Sequence, residues 1–293
     1  VKLETLRQWE DEELSVAGEA IPLSLREVVG HHDAETWSNA SRRLKNTAYL
    51  RLFFPSCTSE AACNIRSITI LPESRPEFYD FDLFNQPGQS PDLDDRPLTE
   101  LTYTVFDTET TGLDPRGGDR IISIGAVRIV NLRLRQEDFF DQLVDPQRPL
   151  PPESVEIHGI QPEMLEGQPP IATVLPLFQR YTEETILVAH NAAFDMLMLQ
   201  LAEAETGIRF INPVLDTLLI SSVVHPSQGR HDMESISQRL GISVVGRHTA
   251  LGDAIATAEI FLKLIPLLAK QGIYTLRDAR EASPKSYYAR IRY

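Results

Sequence analysis

The sequence of 293 residues contains little cysteine and no long apolar segment. Its two cysteines, Cys57 and Cys63, are too few and too close for a disulfide scaffold or a four-ligand zinc site, and they indicate a reducing compartment. No stretch approaches the ~20 consecutive apolar residues that cross a bilayer, and the first residues lack the apolar core of a signal peptide. We therefore expect a soluble, cytoplasmic protein that makes no membrane contact through this chain.

Positive charge is also scarce. The chain has 28 Lys and Arg against 42 Asp and Glu, which gives a net charge of −14. A protein that coats long duplexes neutralises many phosphates with basic side chains, so this charge balance disfavours that class. We expect any nucleic acid to be held locally, with the help of metal ions.

The chain divides into three parts by composition. Residues 1–84 are interpreted as an N-terminal accessory region of unknown role, with an acidic helix in "LETLRQWEDEEL" and strands in "TAYLRLFFP" and "IRSITILP". Residues 85–97 collect Pro, Gly, Ser and Asp, which is typical of a linker. The main domain is therefore expected at 98–293.

The main domain begins with strands and continues with alternating strands and helices. Three successive antiparallel strands are predicted in "LTYTVFDT", "RIISIGAVRIV" and "RLRQEDFFDQLVDP". Two more strands are predicted in "TILVAHN" and "NPVLDTLLIS", the latter running into a helix. Further helices are predicted in "ATVLPLFQRYT", "AAFDMLMLQLAEAE", "MESISQRLG" and "TALGDAIATAEIFLKLI". This order predicts an α/β fold with a mixed five-stranded sheet flanked by helices.

Four carboxylates stand where these elements begin or end. Asp107 and Glu109 end the first strand in "VFDTETTGL", Asp195 begins a helix, and Asp253 lies near the start of the last helix. Side chains of a strand alternate, so Asp107 and Glu109 share a face and repel each other unless a cation lies between them. Mg²⁺ and Mn²⁺ prefer such oxygen ligands. The helix dipole alone also favours an acid at a helix start, so the metal prediction depends on all these segments occurring together.

The segments "FDTETTGL", "HNAAFD" and "HTALGD" resemble the DnaQ-like DEDDh family of 3′ to 5′ exonucleases, which includes the epsilon subunit of bacterial DNA polymerase III. His248 stands five residues before Asp253, as in that family, whereas Thr249 occupies the position where a sister group has tyrosine. The resemblance extends from about residue 98 to residue 268. It implies a ribonuclease H-like fold.

The resemblance also implies a set of site residues. Asp107, Glu109, Asp195 and Asp253 would hold two divalent cations, Mg²⁺ or Mn²⁺. His248, on a mobile segment over the site, would act as the general base, since imidazole is suited to accept a proton at neutral pH. Asp216 would be structural. The substrate contacts implied are Thr110, Gly112, Leu113, His158, His190, Asn191 and Phe194, of which His190 and Asn191 are equally compatible with helix capping.

The activity implied is hydrolysis of terminal phosphodiester bonds of single-stranded nucleic acid from the 3′ end, with release of nucleoside 5′-monophosphates and DNA favoured. An alternative within the same class is trimming of RNA or degradation of short oligoribonucleotides. A different alternative is a binding or regulatory module, whose N-terminal region contacts a polymerase, a repair protein or an upstream sensory domain. The acidic balance favours a protein partner, because a chain of net charge −14 gains little steering toward polyanions.

Overall fold

The computed structural model describes residues 91–242 and 248–283, the backbone of 284–291, residues 82, 84 and 89, and the backbone of four strands nearer the N-terminus. The chain divides into two compact units. One comprises Val1–Ser74 and Ser237–Ser243, and the other comprises Arg75–Ile236 and Val244–Tyr293.

The N-terminal strands form two antiparallel pairs. Strand β1 (Glu13–Val16) pairs with β2 (Glu19–Ser24), and β3 (Glu35–Ala40) pairs with β4 (Ala48–Phe53). The strand predicted in "TAYLRLFFP" is confirmed as β4. Most of the predicted acidic helix and the strand predicted in "IRSITILP" lie outside the described residues.

The second unit contains a five-stranded sheet. Its strands are β5 (Tyr103–Thr110), β6 (Ile121–Val130), β7 (Arg133–Leu143), β8 (Ile186–Ala189) and β9 (Val214–Asp216). Their order is β7-β6-β5-β8-β9; the first three are antiparallel in succession, and β8 and β9 run parallel to β5. The predicted mixed five-stranded sheet is confirmed, with β5 at its centre.

Helices flank this sheet. They are α1 (Pro152–His158), α2 (Pro162–Leu165), α3 (Ile171–Tyr181), α4 (Ala192–Thr206), α5 (Thr217–Val224), α7 (Ala250–Lys270) and α8 (Leu276–Ile291). Between α5 and α7 in the sequence, helix α6 (Met233–Leu240) contains residues of both units. Helices α3 to α7 confirm the predicted ones. Helices α1, α2 and α8 were not predicted, because α1 and α2 are too short to show a helical period and α8 is mostly polar. In the part of the chain that the structure describes, no helix combines the length and the apolarity that a bilayer-spanning segment requires.

Strand β5 lies between two apolar layers. On one face Phe106 packs against Phe178 of α3, with ring centroids 5.6 Å apart. On the other face Tyr103 meets Phe261 of α7 edge-on at 4.8 Å. All eight residues of β5 are buried, so the acids at its end stand inside the fold rather than on its surface.

Part of the stretch predicted as a linker is folded. A 3-10 helix forms at Pro91–Leu93, and Pro97 makes an antiparallel bridge with Thr275. Arg280 of α8 donates to Asp94 at 2.8 Å between Nη1 and Oδ1. These contacts join the segment to the C-terminal helix, and the boundaries 1–84, 85–97 and 98–293 stay predictions.

Candidate active site

Asp107, Glu109 and Asp253 form a group of carboxylates, here called the acid triad. Each offers an oxygen that lies within 4.8 Å of the other two, and each residue is only 6% exposed. Asp107 and Glu109 share a face of β5, as alternation requires. Asp253 lies in the first turn of α7. Thr249 caps this helix, because its hydroxyl oxygen accepts a hydrogen bond from the Gly252 N–H at 3.1 Å. The structure thus brings together three of the four acids that the sequence singles out as metal ligands.

Asp195 lies beside the acid triad rather than within it. It is fully buried in the first turn of α4, and among the described residues the carboxylate group contains only the triad. Its Oδ1 accepts from the Thr108 backbone N–H at 3.1 Å and from the Thr108 hydroxyl at 2.6 Å. Parallel pairing between β5 and β8 ends at Val105, so Asp195 satisfies a β5 donor beyond the end of β8. Thr108, between the two strand acids, thus links Asp195 to them.

His248 is tied to the acid triad through its backbone. Its N–H donates to Asp253 Oδ2 at 3.3 Å, and its φ of +62° is left-handed, a conformation that histidine adopts more readily than most residues. The side chain is half-buried. Residues 243–247, predicted as part of a mobile segment, lie outside the described residues.

The turn after β5 is organised by Asp119. The Thr111 hydroxyl donates to Asp119 Oδ1 at 2.8 Å, and the Thr110 hydroxyl donates to the Gly112 carbonyl at 2.7 Å. A Cβ on Gly112 would lie 2.4 Å from Asp119 Oδ2, so a side chain at position 112 would push the Asp119 carboxylate out of these hydrogen bonds. Leu113 at the tip is 46% exposed. Asp119 was missed from the sequence, although its place at the end of the turn "DPRGGD" suits a side chain that accepts backbone donors.

His158 is the last residue of α1 and is buried. Its Nδ1 accepts from the backbone N–H of Ile160 at 3.0 Å. An accepting Nδ1 carries no proton, so the neutral ring has its proton on Nε2. This hydrogen bond sets both the orientation and the tautomer of the ring.

The three other predicted contacts surround the start of α4. His190 Nδ1 is 2.9 Å from Thr217 Oγ1. Asn191 occupies the N-cap position with φ of +59°, but its side chain makes no capping hydrogen bond. Phe194 is buried in the main apolar core. These three residues thus lie at the junction between β8 and α4, and their contact with a substrate stays a prediction.

Asp216 performs the capping at that junction. It accepts from the backbone N–H groups of Asn191 and Ala192, each at 3.0 Å, and of Leu218 at 2.9 Å. The predicted structural role of Asp216 is therefore confirmed. Burial raises the pKa of its carboxyl to about 7, and the backbone donors act in the opposite direction. One fully buried acid thus joins the starts of α4 and α5.

At a pH of about 4, Asp216→Asn should lower the free energy of unfolding by about 1 to 3 kcal/mol, because the amide nitrogen would face a backbone donor. The difference in free energy of unfolding between the wild type and this variant should also shrink as pH rises from about 4 to about 7. In that window the unfolded carboxyl, with its ordinary pKa of 3.8, has lost its proton and the folded carboxyl, with a pKa of about 7, retains it. Urea denaturation of both proteins across this range measures the effect. A difference that does not vary with pH would show that burial does not govern this carboxyl.

Comparison with known protein families gives one match in this region. The family model described as "Exonuclease" matches residues 104–261, which include the acid triad, Asp195 and His248.

Two relatives have similar sequences. A DNA polymerase III subunit epsilon-like protein of Rhodobacter capsulatus is 49% identical over 203 residues, which are 69% of this chain and 29% of that protein. A DNA polymerase III PolC-type of Thermotoga maritima is 36% identical over 200 residues, which are 68% of this chain and 14% of that protein. The chain thus spans less than a third of the length of either relative.

Two solved structures share the fold. Exonuclease X in complex with 5′ overhanging duplex DNA superposes with a TM-score of 0.50 at 24% identity, covering 62% of this chain and 99% of that one. Cell-death related nuclease 4 superposes with a TM-score of 0.52 at 16% identity, covering 60% and 67%. The predicted ribonuclease H-like fold is confirmed.

Proposed function

Because this chain belongs to the exonuclease family, we propose that it is a metal-dependent 3′ to 5′ exonuclease. It removes nucleoside 5′-monophosphates from single-stranded nucleic acid and favours DNA. The observation that carries the proposal is the acid triad, in which a central strand and a distant helix bring three buried carboxylates within 4.8 Å of one another.

The acid triad fits a divalent cation. All its donor atoms are carboxylate oxygens, which Mg²⁺ and Mn²⁺ prefer over nitrogen and sulfur. Three buried carboxylates repel one another, and a cation among them offsets that repulsion. Asp107, Glu109 and Asp253 hold one ion in this proposal. Asp195, fixed to β5 by Thr108, helps to hold a second.

The reaction is an in-line displacement at the terminal phosphorus. When bound, divalent cations supply charge that stabilises both the attacking and the leaving oxygen. His248 takes the proton from the attacking water as the new P–O bond forms and the bond to the 3′ oxygen breaks. The backbone hydrogen bond from His248 to Asp253 keeps this base beside the acids. The leaving 3′ oxygen takes its proton from solvent.

The turn that follows the strand acids receives the terminal nucleotide. Leu113 is 46% exposed and offers an apolar surface to a base. The hydrogen bonds within the turn, from Thr110 to Gly112 and from Thr111 to Asp119, hold this surface in place without the substrate. A preformed turn reduces the ordering cost of binding.

The polarity and the sugar preference are tested together with matched single-stranded DNA and RNA, labelled at either end. With Mg²⁺ or Mn²⁺, 5′-labelled DNA should shorten stepwise and 3′-labelled DNA should release labelled mononucleotide at once. A chelator should stop both reactions. Internal cleavage, or no shortening of any substrate, would overturn the proposal. Preference for RNA of a few nucleotides would instead favour RNA trimming.

We propose a polymerase as the protein partner. The similar proteins from Rhodobacter capsulatus and Thermotoga maritima are named for DNA polymerase III, and this chain matches only 29% and 14% of their lengths. Size-exclusion chromatography of the chain with a replicative polymerase tests the contact. Co-elution would support a partner role, and separate elution would contradict it.

A further inference from the structure

Gly125 interrupts an apolar strand at a position opposite the acids. It lies in the middle of β6, whose sequence "IISIGAVRIV" is otherwise rich in β-branched residues. Glycine weakens a strand interior and often marks the close approach of another backbone. The register of β5 and β6 pairs Gly125 directly with Asp107, so the absent side chain would stand on the same face as that carboxylate.

The first turn of α7 occupies the space above Gly125. A Cβ built there would lie 2.1 Å from the backbone nitrogen of Leu251 and 2.2 Å from the carbonyl carbon of Ala250. Both are backbone atoms, which cannot rotate away as the end of a flexible side chain can. The helix backbone therefore rests on the sheet at this residue, and Asp253 follows two positions later.

The remainder of α7 is held by its own packing. Phe261 is fully buried and meets Tyr103 of β5 edge-on, with ring centroids 4.8 Å apart. Ala254 and Ala258 are also fully buried. A side chain at position 125 would therefore displace the first turn, which carries Asp253, more readily than the whole helix.

We propose that Gly125 is a positioning residue for the metal site, an inference that rests on the proposed function. Its missing side chain sets how closely the first turn of α7 approaches β6. That approach sets the distance of Asp253 from Asp107 and Glu109, which is within 4.8 Å. Gly125 contacts neither metal nor substrate and acts through the helix backbone.

The test is the affinity for Mn²⁺, measured by electron paramagnetic resonance without substrate. Gly125→Ala should weaken Mn²⁺ binding by at least about tenfold, as changes in residues that support ligands typically do. Nuclease activity should return as the Mn²⁺ concentration is raised. Wild-type Mn²⁺ affinity in folded Gly125→Ala would overturn the inference. Absence of Mn²⁺ binding by the wild-type protein would instead overturn the proposed function.

A matched control lies at the other end of the same helix. Gly272 follows α7 with φ of +79°, and a Cβ there would meet nothing within 4 Å. Gly272→Ala should therefore lose stability through backbone strain and keep its Mn²⁺ affinity. If Gly125→Ala does not fold, Thr249→Val removes the cap of the same turn and should also weaken Mn²⁺ binding. Unchanged affinity in that variant would contradict the dependence on this turn.

Discussion

Asp107→Asn should lower the kcat of hydrolysis by about 10³-fold or more, because a metal ion supplies several kcal/mol of transition-state stabilisation and the amide binds it poorly. The amide keeps the shape of the carboxylate, and the triad loses one of three mutually repelling charges. We therefore expect the variant to fold with an unchanged or raised Tm. Initial rates on single-stranded DNA and thermal unfolding by circular dichroism measure the two effects.

A suitable control is Glu137→Gln, which makes the same change of charge on strand β7. The Glu137 side chain is 76% exposed and lies outside the acid triad. Its rate should equal that of the wild type. An Asp107→Asn variant with most of its activity left would contradict a role of the triad in the chemistry.

His248→Asn should lower kcat by about 10² to 10⁴-fold, which is the usual contribution of a general base. Asparagine tolerates the left-handed backbone that histidine has here, with φ of +62°, and retains the N–H that donates to Asp253. The variant thus removes the imidazole and keeps the local geometry. The acidic limb of the pH–rate profile should flatten, because that limb reports the base. Rates over a pH series measure both changes.

Mn²⁺ affinity separates this role from a role in metal binding. His248→Asn should bind Mn²⁺ as the wild type does. A loss of affinity as large as the loss of kcat would show that His248 acts through the metal site. Full activity over the whole pH range would exclude it as the base.

The elements that carry the site were predictable because their sequence patterns are local. Strand β5 begins with mostly apolar residues and carries Asp107 and Glu109 near its end, and α7 shows a helical period with Asp253 in its first turn. Binding crevices in α/β folds tend to lie where strands end and helices begin, so these acids are candidates for one site. These patterns predict that the strand acids and Asp253 border one crevice, whereas the 4.8 Å separation of their oxygens depends on how β5 and α7 pack in the folded chain.

The remaining features depend on contacts between distant segments. Asp195 can accept a hydrogen bond from Thr108 because β8 pairs with β5 only as far as Val105 and does not extend to Thr108. The need for glycine at position 125 comes from the backbone of α7, which lies more than a hundred residues later. Strand register and the approach of a helix to a sheet are tertiary properties. The sequence therefore shows that a glycine interrupts β6, but it does not show which backbone packs against that glycine.

The central claim is that the acid triad holds divalent cations for hydrolysis. Its most direct test is a Mn²⁺ titration of the wild type, Asp107→Asn and Asp195→Asn without substrate. The wild type should bind Mn²⁺ saturably, Asp107→Asn should lose that binding, and Asp195→Asn should keep the ion of the acid triad, since Asp195 lies outside it. No saturable binding by the wild type, or wild-type binding by Asp107→Asn, would contradict the account.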